Sequence, residues 1–314
     1  MSELRTRLLS WTINPISVMI WTYGIFIHCR EEEFFLLLDI NRLTSVLEQV
    51  RLQQPVVHAI TNTVTAGDVA DVLRAIGARP IMAVAPEEVE EIVSRADALV
   101  LNLGTPTPER VKAMVLAGQQ ANSLGKPVIF DPVGVTASRF RFDSAQRILT
   151  ELSFAVIKGN RAEIGRLAGM EGELRGLDAI AGPTDLLAAA SSLSLQRGAV
   201  VTVSGEQDLI VGNGQAFAVM NGHPLMGSVT GTGCMLAAAI AAFAAVEPDT
   251  MVATVAAVAC FGVAGERAGH KGVGPGGFKS ALIDSIHALT AEQMRTGARI
   301  SVEGRGAPSP LKNP

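Results

Sequence analysis

Between residues 55 and 205 the chain repeats one pattern, a short unbroken apolar run followed by a stretch with apolar residues at helical spacing. The runs are PVVHAI, IMAVA, ALVLNLG, PVIFDPVG, FAVIKGN and AVVTVSG. The stretches are TAGDVADVLRAIGARP, PEEVEEIVSRA, TPERVKAMVLAGQQANSLG, SAQRILTEL, RAEIGRLAG and DLLAAASSLSLQRG. A strand that is apolar on both faces must be covered on both faces, and helical crossovers that do this make neighbouring strands parallel. The pattern predicts an α/β fold, a doubly wound α/β/α sandwich around a mainly parallel sheet. An amphipathic helix carrying Leu43, Val46, Leu47 and Val50 precedes it and stops at Pro55. In such sheets ligands bind beyond the carboxyl ends of the strands. The candidate site residues there are Asn62 and Thr63, Met82 (within the second strand), Asn102 and Gly104, Asp131, Lys158 and Asn160, and Ser204.

The second informative stretch is NGHPLMGSVTGTGCMLAAAIAAFAAV, residues 221–246. It reads as a glycine-bearing turn feeding a buried, Ala-rich helix. The first turn of a helix offers unpaired N–H groups and partial positive charge, so this end is a candidate anion site. Gly231 and Gly233 allow close approach of the backbone, Thr230 and Thr232 can add hydroxyl donors, and Cys234 sits at the helix start. A helix N-terminus lowers a thiol pKa and a bound anion raises it, so Cys234 is a weak candidate base. Asp131 and Glu163 are the carboxylates best placed to hold a hard cation such as Mg²⁺. Plain structural roles stand beside these: Glu163 as a helix N-terminal charge, Asp131 as a turn residue before Pro132, Met82 and Cys234 as core. His58 and His223 each read as a satisfied buried histidine as readily as a base.

Five ordered motifs, HAITNTVT, FDPVG, IKGNRAEI, VTVSG and NGHPLMGSVTGTGCM, resemble the hydroxyethylthiazole kinases of thiamine biosynthesis, over roughly residues 50–290. The resemblance implies a ribokinase-like fold and phosphorylation of the hydroxyl of 4-methyl-5-(2-hydroxyethyl)thiazole, with ATP as co-substrate and Mg²⁺ as cofactor. It implies Asp131 and Glu163 near the metal, and Lys158, Asn160 and Ser204 on ATP. Asn62, Val64, Met82 and Gly231 fall on the substrate, with Gly231, Gly233 and Cys234 beside the reacting hydroxyl. Lys158 stands where the family commonly has Arg, Ser204 where it has Thr, and Gly277 where it has Ser. Sugar kinases of the wider fold carry Asp at the position of Cys234. A homotrimer with substrate sites between subunits is also implied. Two alternatives stay open: a hydroxymethylpyrimidine or pyridoxal kinase, and a non-catalytic relative that binds nucleotide or thiazole.

Hydrophobic residues make up 48% of the 314 residues and charged residues 18%, which suits a large apolar core and an oligomer. A net charge of −4 gives no electrostatic case for nucleic acid or a membrane surface. Three cysteines without metal spacing favour a reducing, cytoplasmic setting. Residues 1–34 hold both Trp and the one Tyr, and an apolar run over 16–27 follows Arg5 and Arg7. Asn14-Pro15 interrupts that run and HCREEE ends it, so an extension, poorly ordered or non-native, is expected rather than an export signal or anchor. One kinase domain is expected over 35–296, with a charged surface excursion near 170–185 and a flexible tail over 297–314.

Overall fold

The computed structural model describes residues 39–169 and 183–303, together with two strands nearer the N-terminus. The chain divides into two compact units, residues 1–40 and 41–314. In the first, β1 (Val18–Thr22) and β2 (Ile25–Cys29) pair antiparallel. These ten residues of the expected extension are therefore paired strand; the rest of it lies outside the described residues, as does most of the expected excursion at 170–185.

In the second unit, α1 (Ile40–Gln53) leads into β3 (Val56–Ile60), α2 (Ala66–Ile76), β4 (Arg79–Ile81), α3 (Val89–Arg95), β5 (Ala98–Asn102) and α4 (Pro108–Ser123). Then follow β6 (Val128–Asp131), α5 (Arg139–Glu151), β7 (Val156–Asn160), α6 (Arg161–Leu167), α7 (Pro183–Arg197) and β8 (Val200–Ser204). The chain continues through β9 (Asp208–Gly212), β10 (Gln215–Val219), α8 (Leu225–Ser228), α9 (Thr232–Ala244), α10 (Thr250–Gly269), α11 (Pro275–Ala288), α12 (Ala291–Gly297) and β11 (Ile300–Val302). Nine strands form one sheet in the order β11-β10-β9-β8-β7-β6-β5-β3-β4. The six from β4 to β8 run parallel, as the sequence pattern predicts, and β9, β10 and β11 extend the sheet antiparallel.

Three details differ from the expectations. The antiparallel hairpin β9–β10 occupies a region with no predicted element. It turns on Asn213-Gly214, with φ of 52° and 74°, the backbone that matches strand twist in a two-residue hairpin. Second, Met82 lies outside its strand. β4 pairs with β3 only through Arg79, Pro80 and Ile81, and just beyond it the Ala83 carbonyl lies 2.8 Å from the His58 ring, a side-chain contact in place of a ladder bond. Third, the tail expected to be flexible from residue 297 contains β11, which pairs with β10, while residues 304–314 lie outside the described residues.

From Met235 to Phe243 every residue of α9 is buried, the expected core helix. α10 is 20 residues long with mean hydropathy 1.4, apolar enough by length and composition to cross a bilayer, but 89% of its apolar window is buried inside the protein.

Candidate active site

The strand ends deliver a continuous chain of buried polar groups. Asn62, just beyond β3, accepts the N–H groups of Val64 and Thr65 on Oδ1, each at 3.0 Å, and so folds the 62–65 turn over itself. Its Nδ2 donates to Asn102 Oδ1 at 3.0 Å and lies 3.4 Å from Cys234 Sγ. Asn102, at the end of β5, donates in turn to Asp131 Oδ2 at 2.6 Å. Asp131 closes β6, is fully buried, and its Oδ1 has no hydrogen-bond partner. Lys158 Nζ on β7 lies 3.7 Å from that oxygen, an ion pair rather than a hydrogen bond.

Lys158 also reaches the start of α9. A β-carbon built on Gly233 would stand 2.8 Å from its Nζ, so the ammonium sits against the first turn of the helix. No side chain caps that end. Gly231 is the N-cap, with φ of 98°, and a β-carbon there would fall 2.6 Å from Thr65 Cγ2. The backbone N–H groups, the helix dipole and a buried ammonium thus converge on one point, the requirement for holding an anion. Thr232 adds nothing to it, because its hydroxyl donates to the Met226 carbonyl at 2.8 Å. The expectation of a Thr232 donor is corrected by that turn contact.

Burial pushes the Asp131 carboxyl up, with Lys158 and the Asn102 hydrogen bond opposing and Glu163 adding to the rise. Burial works against the Lys158 charge, yet Asp131, Glu163, Cys234 and Asp208 together hold its pKa above the usual lysine value. For Cys234, burial and then Asp131 push the thiol up, outweighing the opposing influence of Lys158 and of the nearby Thr65 and Asn102 side chains. A thiol so placed stays protonated near neutrality, which weakens it further as a base.

Glu163 serves a different end. Its Oε2 accepts the Asn160 N–H at 2.8 Å while Asn160 Oδ1 accepts the Glu163 N–H at 2.9 Å, a capping box at the start of α6. Its Oε1 accepts the Gly134 N–H at 2.8 Å, bracing the turn after Asp131. Ser204 Oγ donates to the Gly159 carbonyl at 3.3 Å and borders a cleft of about 570 Å³. The far wall of this cleft is the 221–227 loop, and Asp208 faces it with a carboxyl pushed up to about 6, chiefly by burial.

Of the sequence-predicted residues, Asn62, Asp131, Lys158, Gly231, Gly233 and Cys234 therefore meet in one cluster. Asn160 and Ser204 stand at its edge on the strand ends of β7 and β8, and Glu163 beside them in the first turn of α6. Val64 lies outside, its side chain 64% exposed, and Met82 lies beyond the short edge strand, half-buried. Asn102 was singled out only as a strand-end residue, although it links the two halves of the cluster. Asp208 had no sequence signal except its place just after VTVSG.

The chain matches the hydroxyethylthiazole kinase family over residues 47–292. Hydroxyethylthiazole kinase of Chloroflexus aggregans is 46% identical over 260 residues, covering 83% of this chain and 94% of its own. That of Thermoanaerobacter pseudethanolicus is 48% identical over 260 residues, covering 82% and 98%. Among solved structures, the hydroxyethylthiazole kinase protein of Pyrococcus horikoshii OT3 has a TM-score of 0.77 at 38% identity, covering 83% of this chain and 99% of that one. Pyridoxal kinase of Staphylococcus aureus, at 17% identity and a TM-score of 0.54 over 68% of this chain and 88% of its own, shares the fold alone. The matched span holds every member of the polar cluster and the glycine-capped helix beside it, and this chain belongs to the hydroxyethylthiazole kinase family.

Proposed function

We propose that this protein transfers the γ-phosphoryl group of ATP to the hydroxyl of 4-methyl-5-(2-hydroxyethyl)thiazole. The observation that carries the reading is Lys158, a buried ammonium held between Asp131 and the uncapped N-terminus of α9. Phosphoryl transfer asks mainly for positioned positive charge around the moving group, and this point supplies it. The cleft bordered by Ser204 lies on one side of Gly233 and takes the nucleotide. Asn62 and Cys234, 3.4 Å apart and not part of that cleft's lining, take the alcohol, with Val64 and Met82 as outer walls of that pocket. With its thiol held protonated, Cys234 lines the pocket beside the hydroxyl, and stabilisation of charge carries the rate.

A magnesium ion fits the residues present. Asp131 Oδ1 is buried without a hydrogen-bond partner, with Lys158 Nζ 3.7 Å away, and such an oxygen suits a hard cation. Both oxygens of Glu163 already accept backbone N–H groups, so its remaining lone pairs would hold a metal-bound water. When bound, the ion neutralises phosphate charge. The 64% exposure of Val64 in the single chain supports the homotrimer, in which a second subunit would complete the substrate wall. A cytoplasmic setting agrees with the free thiols of Cys234 and Cys260. Pyridoxal phosphorylation is less favoured, since likeness to pyridoxal kinases stops at the fold.

The test is ADP formation by the full chain with ATP and Mg²⁺, offering hydroxyethylthiazole, hydroxymethylpyrimidine or pyridoxal in turn. Turnover with the thiazole alcohol is expected, falling by about 100-fold or more in Lys158→Met, the scale for removing one pre-positioned charge donor. Binding of the thiazole without any turnover would replace the kinase reading with that of a binding protein.

A further inference from the structure

Thr105 has the least comfortable backbone of the strand-end residues around the site. It is β-branched yet adopts φ of 42°, in the left-handed region that such residues avoid. Conformations of this kind persist only where the surroundings over-determine them. Here the determinants are visible. Thr105 Oγ1 accepts the Thr63 N–H at 3.1 Å and an Arg110 Nη1 hydrogen at 3.2 Å, and lies 3.4 Å from the Thr63 hydroxyl. The Thr63 N–H, the Arg110 guanidinium and the Thr63 hydroxyl thus all converge on this one oxygen. Arg110, in the first turn of α4, also donates to the Thr61 carbonyl at 3.1 Å. On the inner side Gly104 presses against Asn62, where a β-carbon would come within 2.6 Å of Asn62 Cβ.

The 61–65 turn is therefore gripped from two sides. Asn62 holds its Val64 and Thr65 N–H groups from within. Thr105 and Arg110 hold Thr63 and Thr61 from the neighbouring strand end. Resting on the proposed function, which puts the acceptor alcohol against this turn, we propose that Thr105 is a positioning residue for the alcohol. Its strained hydroxyl, buttressed by Arg110, fixes the Asn62–Val64 wall without touching the nucleotide side.

Steady-state kinetics on the full chain separates this role from general support of the fold. Thr105→Val keeps the branching and removes the hydroxyl; Thr105→Ser keeps the hydroxyl. Loss of the tie to Thr63 in Thr105→Val should raise KM for hydroxyethylthiazole about tenfold, the effect of one or two hydrogen bonds, and leave KM for ATP within about twofold. Thr105→Ser should stay near wild type. Arg110→Gln should reproduce the acceptor-side effect, and the double variant should fall short of the product of the two single effects, because the residues share the Thr105–Arg110 contact while Arg110 also holds the Thr61 carbonyl on its own. If Thr105→Val fails to fold, Arg110→Gln carries the same comparison. An unchanged KM for the alcohol, equal shifts in both KM values, or a serine variant as impaired as the valine one would overturn the inference while wild-type turnover upheld the function. A wild-type chain that neither binds nor phosphorylates the thiazole alcohol would overturn both.

Discussion

Gly231 meets two demands that no other residue satisfies together. Its φ of 98° starts α9 from the left-handed region, and its missing side chain leaves room for Thr65 Cγ2, which a β-carbon would approach to 2.6 Å. Gly231→Ala should therefore cost about 1–3 kcal/mol of stability and push α9 away from the 62–65 turn. Thermal denaturation and turnover measured on one preparation check this; an alanine variant with wild-type melting and rate would show that the contact yields. The two carboxylates invite the opposite comparison. Asp131 and Glu163 look equivalent as residue types at strand ends, yet one keeps an unpartnered oxygen at the centre of the site while the other braces two backbone segments. Sequence could name both but not divide the labour, because a capping box and the proposed metal ligand ask for the same chemical group.

At the level of elements, the shortness of β4 passes a structural task to one side chain. His58 on β3 is buried, and its Nε2 lies 2.8 Å from the Ala83 carbonyl, tying down the segment that carries Met82. Burial lowers its pKa, with the Ala83 hydrogen bond and Glu88 opposing. The ring is thus neutral in the folded state at pH values where the unfolded chain, near the ordinary 6.5, already binds a proton. The unfolded state then holds more protons, so stability falls as pH drops below about 6.5 toward the lower folded value, by at most about 1.4 kcal/mol per pH unit for one proton. His58→Gln should lose less stability than wild type between pH 7.5 and 5.5 in matched denaturant titrations; parallel curves would remove His58 from the account. The β9–β10 hairpin teaches a related lesson. Asn213-Gly214 between DLIVG and QAFAV carries a hairpin signature, legible in principle, although nothing local says that the hairpin extends the parallel sheet.

For the whole molecule, α1 marks where the kinase unit must begin. Leu43, Val46, Leu47 and Val50 are at most 2% exposed, and Arg51 donates to the carbonyls of Ile286 and Leu289 at 3.0 and 2.6 Å, fastening α1 to the C-terminal end of α11. A chain starting at Leu36 keeps this helix and should melt and turn over like the full chain. One starting at Pro55 loses four buried aliphatic side chains, each about 1.5–3 kcal/mol, which is comparable with the entire stability of a domain. It should not fold, as circular dichroism and gel filtration would show. A similar long-range closure occurs at the other end. Arg299 and Asn221 both bond Glu266, and Asn221 accepts the Arg299 N–H at 2.6 Å, so the segment leading into β11 secures the cleft-lining loop. The expectation of a flexible tail from residue 297 missed this because three strand residues, Ile300-Ser301-Val302, are too short a run to carry a pattern of their own.

What the sequence determined by itself was the order of strands and helices from α1 to β8, the parallel part of the sheet, the buried helix after the glycine turn, and the strand ends as the place to look for chemistry. These follow from periodicity and chain direction, which are local properties. The tertiary structure alone decided which strand-end residues share one cluster: Asn102 as its link, Lys158 against Gly233, Glu163 turned aside to hold backbone, Thr105 bent to grip a turn on another strand. It also decided protonation, holding the Cys234 thiol neutral where a helix N-terminus alone argues for the thiolate. Contacts between residues 29 to 172 positions apart, and the dielectric that burial creates, exist only once the chain has closed on itself.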